Sequence, residues 1–96
     1  MTRTEVLAWL ETRRPAPPAT LRKRLEGSVQ DVPLPLPAHL AELGRQLLVR
    51  VASHPVGGRE LALDLLAADA FVTYAFEAQA EADIGDLARL AAESVA

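Results

Sequence analysis

An uninterrupted stretch from Arg59 to Ala82 constrains the fold of this chain more than any other feature. It contains neither glycine nor proline and is rich in alanine, leucine and glutamate, which favour helix. About 24 residues at 1.5 Å per residue form a helix of about 36 Å, whereas a compact chain of this size has a radius of gyration of about 13 Å. We therefore expect this helix to cross the whole domain or to leave it.

The rest of the sequence also predicts helices. Apolar residues make up 50% of the chain but aromatic residues only 4%, so the core must consist of small and medium side chains, which favours close helix packing. No segment alternates polar and apolar residues between hairpin turns. We predict a single all-α domain over residues 1–96, a small bundle of four to five helices in which a proline-rich spacer joins an N-terminal pair to a long helical hairpin.

Residues 1–30 are predicted to form two short helices. Thr2 and Glu5 have the spacing of a capping box, and the first helix is expected to run to about Arg14, where a cluster of prolines ends it. The second helix is expected from Ala19 to Leu25, with Gly27 as its stop. Alternating prolines make residues 31–37 an extended spacer.

Residues 38–96 are predicted to form the hairpin and a last helix. Helix three should run from Ala38 to Ala52, followed by a loop and by helix four over residues 59–82. Asp83 is interpreted as the N-cap of helix five, Ile84 to Val95. His39 is expected at the surface in the first turn of helix three and His54 beyond its end, too far apart to bind one metal.

Charge is distributed unevenly along the chain, although the net charge is only −3. Residues 1–30 are mainly basic and residues 59–96 mainly acidic, which we interpret as two halves that dock within or between subunits. The densest basic patch, Arg22, Lys23 and Arg24, is a candidate nucleic-acid contact. It lacks aromatic stacking partners and a recognition helix, so nucleic-acid binding is only a third hypothesis.

Helix four is apolar nearly all round between Leu61 and Phe76, and such a helix is normally covered on several sides. A chain of this size offers few neighbours, so we expect a homodimer or a place in a larger protein assembly. The interface is predicted to consist of Leu61, Leu65, Val72 and Phe76.

Asp69, Thr73 and Glu77 follow one another at intervals of four and make a polar stripe through this apolar helix. Three interpretations remain open. The stripe is a solvated edge, or Asp69 is buried and either pairs with Arg45 or Arg50 or caps the N-terminus of another helix. In the third interpretation Asp69 and Glu77, with Tyr74 or a histidine, line a small-ligand or metal site. The metal itself cannot be named from the sequence.

Other classes of function have little support in the sequence. Cysteine is absent, which excludes disulfides and thiolate ligands, and no catalytic set or nucleotide loop is visible, so neither an enzyme nor a cofactor is predicted. No apolar run is long enough to span a membrane, and a cytoplasmic location is expected. The favoured hypothesis is a non-enzymatic protein-interaction module that uses helix 59–82, with a ligand-binding or metal-binding helical regulator as the alternative.

Overall fold

The computed structural model describes residues 1–54 and 56–94, and over these residues all regular structure is helical. This confirms the all-α class. Pro55, predicted in a loop, and Val95, predicted in helix five, lie outside the described residues. In chain order the helices are α1 (Arg3–Leu10), α2 (Ala19–Ser28), α3 (Leu36–Ala52) and α4 (Arg59–Ser94).

The fourth helix is much longer than predicted, and the separate helix five is wrong. α4 has 36 residues, about 54 Å at 1.5 Å per residue, and it accounts for the longest dimension of the molecule, 59 Å. Asp83 does not cap a new helix, because its carboxylate accepts a hydrogen bond from the Gln79 side chain one turn earlier at 3.0 Å. Gly85, the first helix-weakening residue after Arg59, costs only about 1 kcal/mol and does not break the helix.

The first helix opens with the predicted capping box. The Glu5 amide donates to the Thr2 hydroxyl and the Thr2 amide donates to the Glu5 carboxylate, both at 3.2 Å. α1 nevertheless ends at Leu10 rather than at Arg14, since the amides of Thr12 and Arg13 bond three residues back and tighten the chain into a turn.

Between α2 and α3 the chain is held against its own N-terminus. α2 continues through Gly27 to Ser28, and the Met1 ammonium donates to the carbonyls of Val32 and Leu34 at 2.8 and 3.2 Å. α3 then begins at Leu36, two residues earlier than predicted, with Pro37 in its first turn, where its missing amide donor leaves no bond unmade.

The core lies between α3 and α4, which approach each other closely at Gly44. A Cβ at this position would lie 3.0 Å from Val72 Cγ2 and 3.3 Å from the carbonyl oxygen of Ala68. Small residues on both helices therefore bring the two backbones together, while Leu40 and Phe71 fill the space around the contact. Val6 of α1 and Leu25 of α2 close the core from the other side.

The surface position expected for His39 is wrong. His39 is buried together with its neighbours Leu40 and Leu43, because the buried face of α3 begins at its first turn. Its Nε2 has no hydrogen-bond partner among the described residues. Burial, and secondarily the N-terminal ammonium, lower the pKa of the imidazole, which favours its neutral form.

Candidate functional site

The polar stripe on α4 divides between two environments. Asp69 and Thr73 are exposed, whereas Glu77 and Tyr74 are half-buried. The division follows from helix geometry, because each step of four residues turns the position by about 40° around the axis. Asp69 therefore faces solvent, as the solvated-edge interpretation predicts, and the interpretation in which it is buried against Arg45 or Arg50 does not hold. Asp69 and Glu77 lie about 12 Å apart along the axis.

Glu77 belongs to a cluster that fastens α1 to the middle of α4. Arg13 binds Glu77 at 3.2 Å and Glu81 at 2.8 Å, and its guanidinium lies 3.8 Å from the centre of the Trp9 ring. The Trp9 indole donates to Glu81 at 2.9 Å and meets the Tyr74 ring edge-on at 6.1 Å. The indole first, and Arg13 next, lower the pKa of the Glu81 carboxyl. Glu77 is thus engaged within its own chain.

The buried carboxylate of this helix is Asp64, which sequence reasoning missed. Asp64 is 4% exposed, and its two carboxylate oxygens form ion pairs with Arg24 Nε at 2.6 Å and with Arg50 Nε at 3.2 Å. One carboxylate therefore joins α2, α3 and α4. Asp64 lies four residues before Ala68 and seven before Phe71, on the buried face of α4. The sequence did not identify this face, because the helix is apolar nearly all round.

These contacts also explain the uneven charge of the chain. Arg13 and Arg24 from the basic half pair with acids of α4, as the docking interpretation predicts for a single chain. Within the basic patch, Arg22 is likewise occupied by Glu11 and Glu26. Only Lys23 of the patch has no ion-pair partner among residues 1–54 and 56–94, which leaves little free positive charge for a phosphate backbone.

The predicted interface residues differ in their exposure. Leu61 and Val72 are half-buried. Val72 packs against Gly44 of α3. Leu65 is half exposed and Phe76 is 74% exposed. The face that carries Leu65 and Phe76 is thus turned to solvent.

This solvent-facing surface continues to the end of α4 and is called the apolar ridge below. At 100° per residue its members fall within about 120° of the helix circumference. Three of them, Leu65, Phe76 and Leu87, follow at intervals of eleven residues, a spacing that keeps side chains nearly in line along a helix. The ridge consists of Leu65, Leu66, Phe76, Ile84, Leu87 and Leu90.

A shallow groove runs beside the ridge, between the start of α3 and the middle of α4. Its floor and walls are almost entirely apolar, and Phe76 forms one edge. It is lined by Pro37, Ala38, Ala41, Val72, Ala75, Phe76 and Gln79. The ridge and the groove adjoin at Phe76 and form an extended apolar surface on one side of the molecule, with the exposed residues Asp69, Thr73 and Asp83 on the same face of α4.

A smaller cleft of about 130 Å³ lies between α1, α2 and Tyr74. Two of its guanidinium groups already have carboxylate partners, since Arg13 binds Glu77 and Arg22 binds Glu26. These two residues therefore offer an incoming anion no uncompensated charge. The third, Arg14, donates to the backbone carbonyls of Glu11 and Arg13.

Over residues 1–54 and 56–94, no group of three or more histidine or carboxylate side chains is arranged to hold a metal ion. In the same residues none of the helices contains a stretch both long and apolar enough to span a bilayer. No family model matches the chain, and no match is found among curated proteins or solved structures.

Proposed function

We propose that this protein is a non-enzymatic helical interaction module that forms a homodimer through the apolar ridge of α4. An accessory role in a larger assembly would use the same surface with a different partner. Neither version requires a cofactor, because the interaction consists of apolar burial between helices.

The length and exposure of the ridge carry this proposal. From Leu65 to Leu90 it extends about 38 Å along α4, and Phe76 near its middle is 74% exposed. Several large apolar side chains exposed along one helix face favour an interaction site, since large exposed apolar patches are rare on monomers. Closed twofold dimers are the commonest soluble oligomers, and a single helix face can pair with a copy of itself.

Only some of the predicted interface residues are accessible to a second molecule. Val72 is partly covered by α3, so it contributes mainly to the fold of one chain. Leu65 and Phe76 remain available for a second molecule, and Leu87 extends the same line. The proposed contact therefore includes part of the predicted helix 59–82 and continues beyond it.

Asp69 and Thr73 have a specific role in this proposal. Both are exposed and lie on the same side of α4 as the ridge, so any partner helix must pass close to them. Like charges repel across an interface, which disfavours alignments that place Asp69 against an acidic residue of the partner. Asp69 would thus select one register among several apolar alignments.

The mass in solution tests the proposal. We expect light scattering over a concentration series to show twice the chain mass of 10.3 kDa, without change on addition of EDTA. Phe76→Asp should weaken association by about 30-fold or more, because a buried aromatic anchor contributes about 2 kcal/mol or more to an interface.

Val49→Asp is the matched control, since Val49 is also an exposed apolar residue but lies on α3. It should leave the dissociation constant of the dimer unchanged. A wild-type chain that remains monomeric at high micromolar concentration would refute the homodimer. Loss of the dimer in EDTA would instead support a metal site involving Asp69.

A further inference from the structure

We infer that residues 79–94 of α4, called the arm below, dock antiparallel into the groove between α3 and α4 of a second copy of this chain. This inference rests on the proposed homodimer and specifies how its two chains are arranged.

The arm is an amphipathic helix with nothing packed on it. Every residue from Gln79 to Ser94 is exposed. Arg89 binds Asp86 at 3.7 Å and Glu93 at 3.3 Å, and these three charged residues lie outside the arc of the ridge. The arm thus has a charged side and an apolar side formed by Ile84, Leu87 and Leu90, with the carboxylate of Asp83 among them.

The arm cannot cover the groove of its own chain. The groove is bounded by Val72 and Phe76 on the same helix, and α4 continues without a break from Arg59 to Ser94. A straight helix cannot fold back on itself, so only another molecule can bring an arm into this groove. A second copy supplies both complementary surfaces in equal number.

The area needed for a stable dimer favours the inclusion of both surfaces. The arm is about 24 Å long and a helix with side chains is about 10 Å wide, so its flat footprint is about 240 Å². A standard interface buries about 800 Å² of accessible surface on each partner. An overlap of about 40 Å, which includes arm and groove on each chain, has a flat footprint of about 400 Å². Interdigitating side chains bury more than this footprint, so the inclusion of both surfaces moves the buried area toward that of a standard interface.

The orientation follows from the positions of the two surfaces along α4. The groove lies before Gln79 and the arm after it, so an antiparallel twofold pair places each arm against the groove of the other chain. A parallel pair would place arm against arm and leave both grooves empty.

Charge selects the register of this antiparallel pair. A twofold axis at Phe76 would place Asp69 opposite Asp83 of the second copy, seven residues away on either side, and like charges repel. An axis at Ala80 removes that contact and places Asp69 opposite Ala91.

The same register brings the apolar residues of arm and groove together. Ile84 then lies opposite Phe76, and Leu87 lies opposite Thr73, beside Val72. Asp83 faces Glu77, whose charge Arg13 already compensates at 3.2 Å.

Two alanine-to-cysteine variants test this arrangement in a chain that has no cysteine of its own. Ala80→Cys and Ala91→Cys replace exposed alanines of the same helix face, eleven residues apart. With the axis at Ala80, the former should form a disulfide-linked dimer on mild oxidation. The two Ala91 positions would lie about 33 Å apart, so the latter should remain unlinked.

A second pair of variants tests whether the arm takes part. Leu87→Asp should weaken dimer formation at least tenfold in light scattering, whereas Ala82→Asp, at an exposed alanine on the charged side of the arm, should not. Helicity measured by circular dichroism should be the same for both, since both positions are exposed.

The outcomes separate this inference from the proposed dimer. Linkage of both cysteine variants would indicate a parallel pair, and a dimer that neither variant links would have a different axis. Leu87→Asp dimers of unchanged affinity would show that the arm is free. Each of these results overturns arm docking and leaves the homodimer standing, whereas a monomeric wild-type chain overturns both.

Discussion

Replacing Asp64 by alanine tests whether one buried carboxylate fastens α2 and α3 to α4. The change removes the partner of Arg24 at 2.6 Å and of Arg50 at 3.2 Å. Breaking a fully buried ion pair costs about 3–5 kcal/mol, because the remaining charge is left without compensation. The side chains of Arg24 and Arg50 are 26% and 59% exposed, so water recovers part of that loss.

We therefore expect Asp64→Ala to lower the free energy of unfolding by about 2–3 kcal/mol, which in a domain of this size corresponds to a fall in Tm of about 10–20 °C. Asp64→Asn should lie between this variant and the wild type. The amide oxygen can still accept from Arg24, but the amide nitrogen would face the second guanidinium, donor against donor.

Thermal and urea unfolding followed by far-ultraviolet circular dichroism measure this effect. All variants must be compared at one protein concentration, since self-association would contribute to stability. Glu42→Ala is the control, because Glu42 forms an ion pair with Arg45 at 2.6 Å on the exposed side of α3 and should matter little. If Asp64→Ala and Glu42→Ala unfold at the same temperature and the same urea concentration, the role assigned to Asp64 is wrong.

Two further predictions concern the α3–α4 contact and its histidine. Gly44→Leu should destabilise the fold by about 1–3 kcal/mol through overpacking, because its Cβ would meet Val72 Cγ2 at 3.0 Å. Adding Val72→Ala should restore part of the lost stability, as measured by urea unfolding. If Gly44→Leu is as stable as the wild type, the close approach of the two helices is contradicted. Burial and the N-terminal ammonium lower the pKa of His39 below its ordinary value of 6.5, so the unfolded state binds more protons and stability should fall as the pH decreases below 6.5. His39→Gln should flatten that slope in unfolding curves measured across the window, and a slope that persists in the variant would assign the effect to other groups.

The sequence by itself determined the features that depend on neighbouring residues. The capping box of Thr2 and Glu5 involves residues within one turn, and a proline disfavours helical geometry in the residue before it whatever surrounds it. The sequence also predicted that helix four is longer than a compact domain, because no glycine or proline lies between Arg59 and Ala82. It did not predict that the helix continues past Asp83. Asp83 has a good capping side chain, but an isolated aspartate within a run of helix formers does not end a helix.

Only the tertiary structure decided which polar residues of α4 are buried. The helix is apolar nearly all round, so its periodicity does not distinguish the face of Asp64 from the face of Asp69. Gly44 allows α3 to approach Ala68 and Val72, and that approach buries Asp64 and turns Asp69 to solvent. The same approach buries His39 on α3. The selection is made by the packing of α3 against α4, for example of Gly44 against Ala68, 24 positions later in the sequence, and no local pattern encodes such a contact.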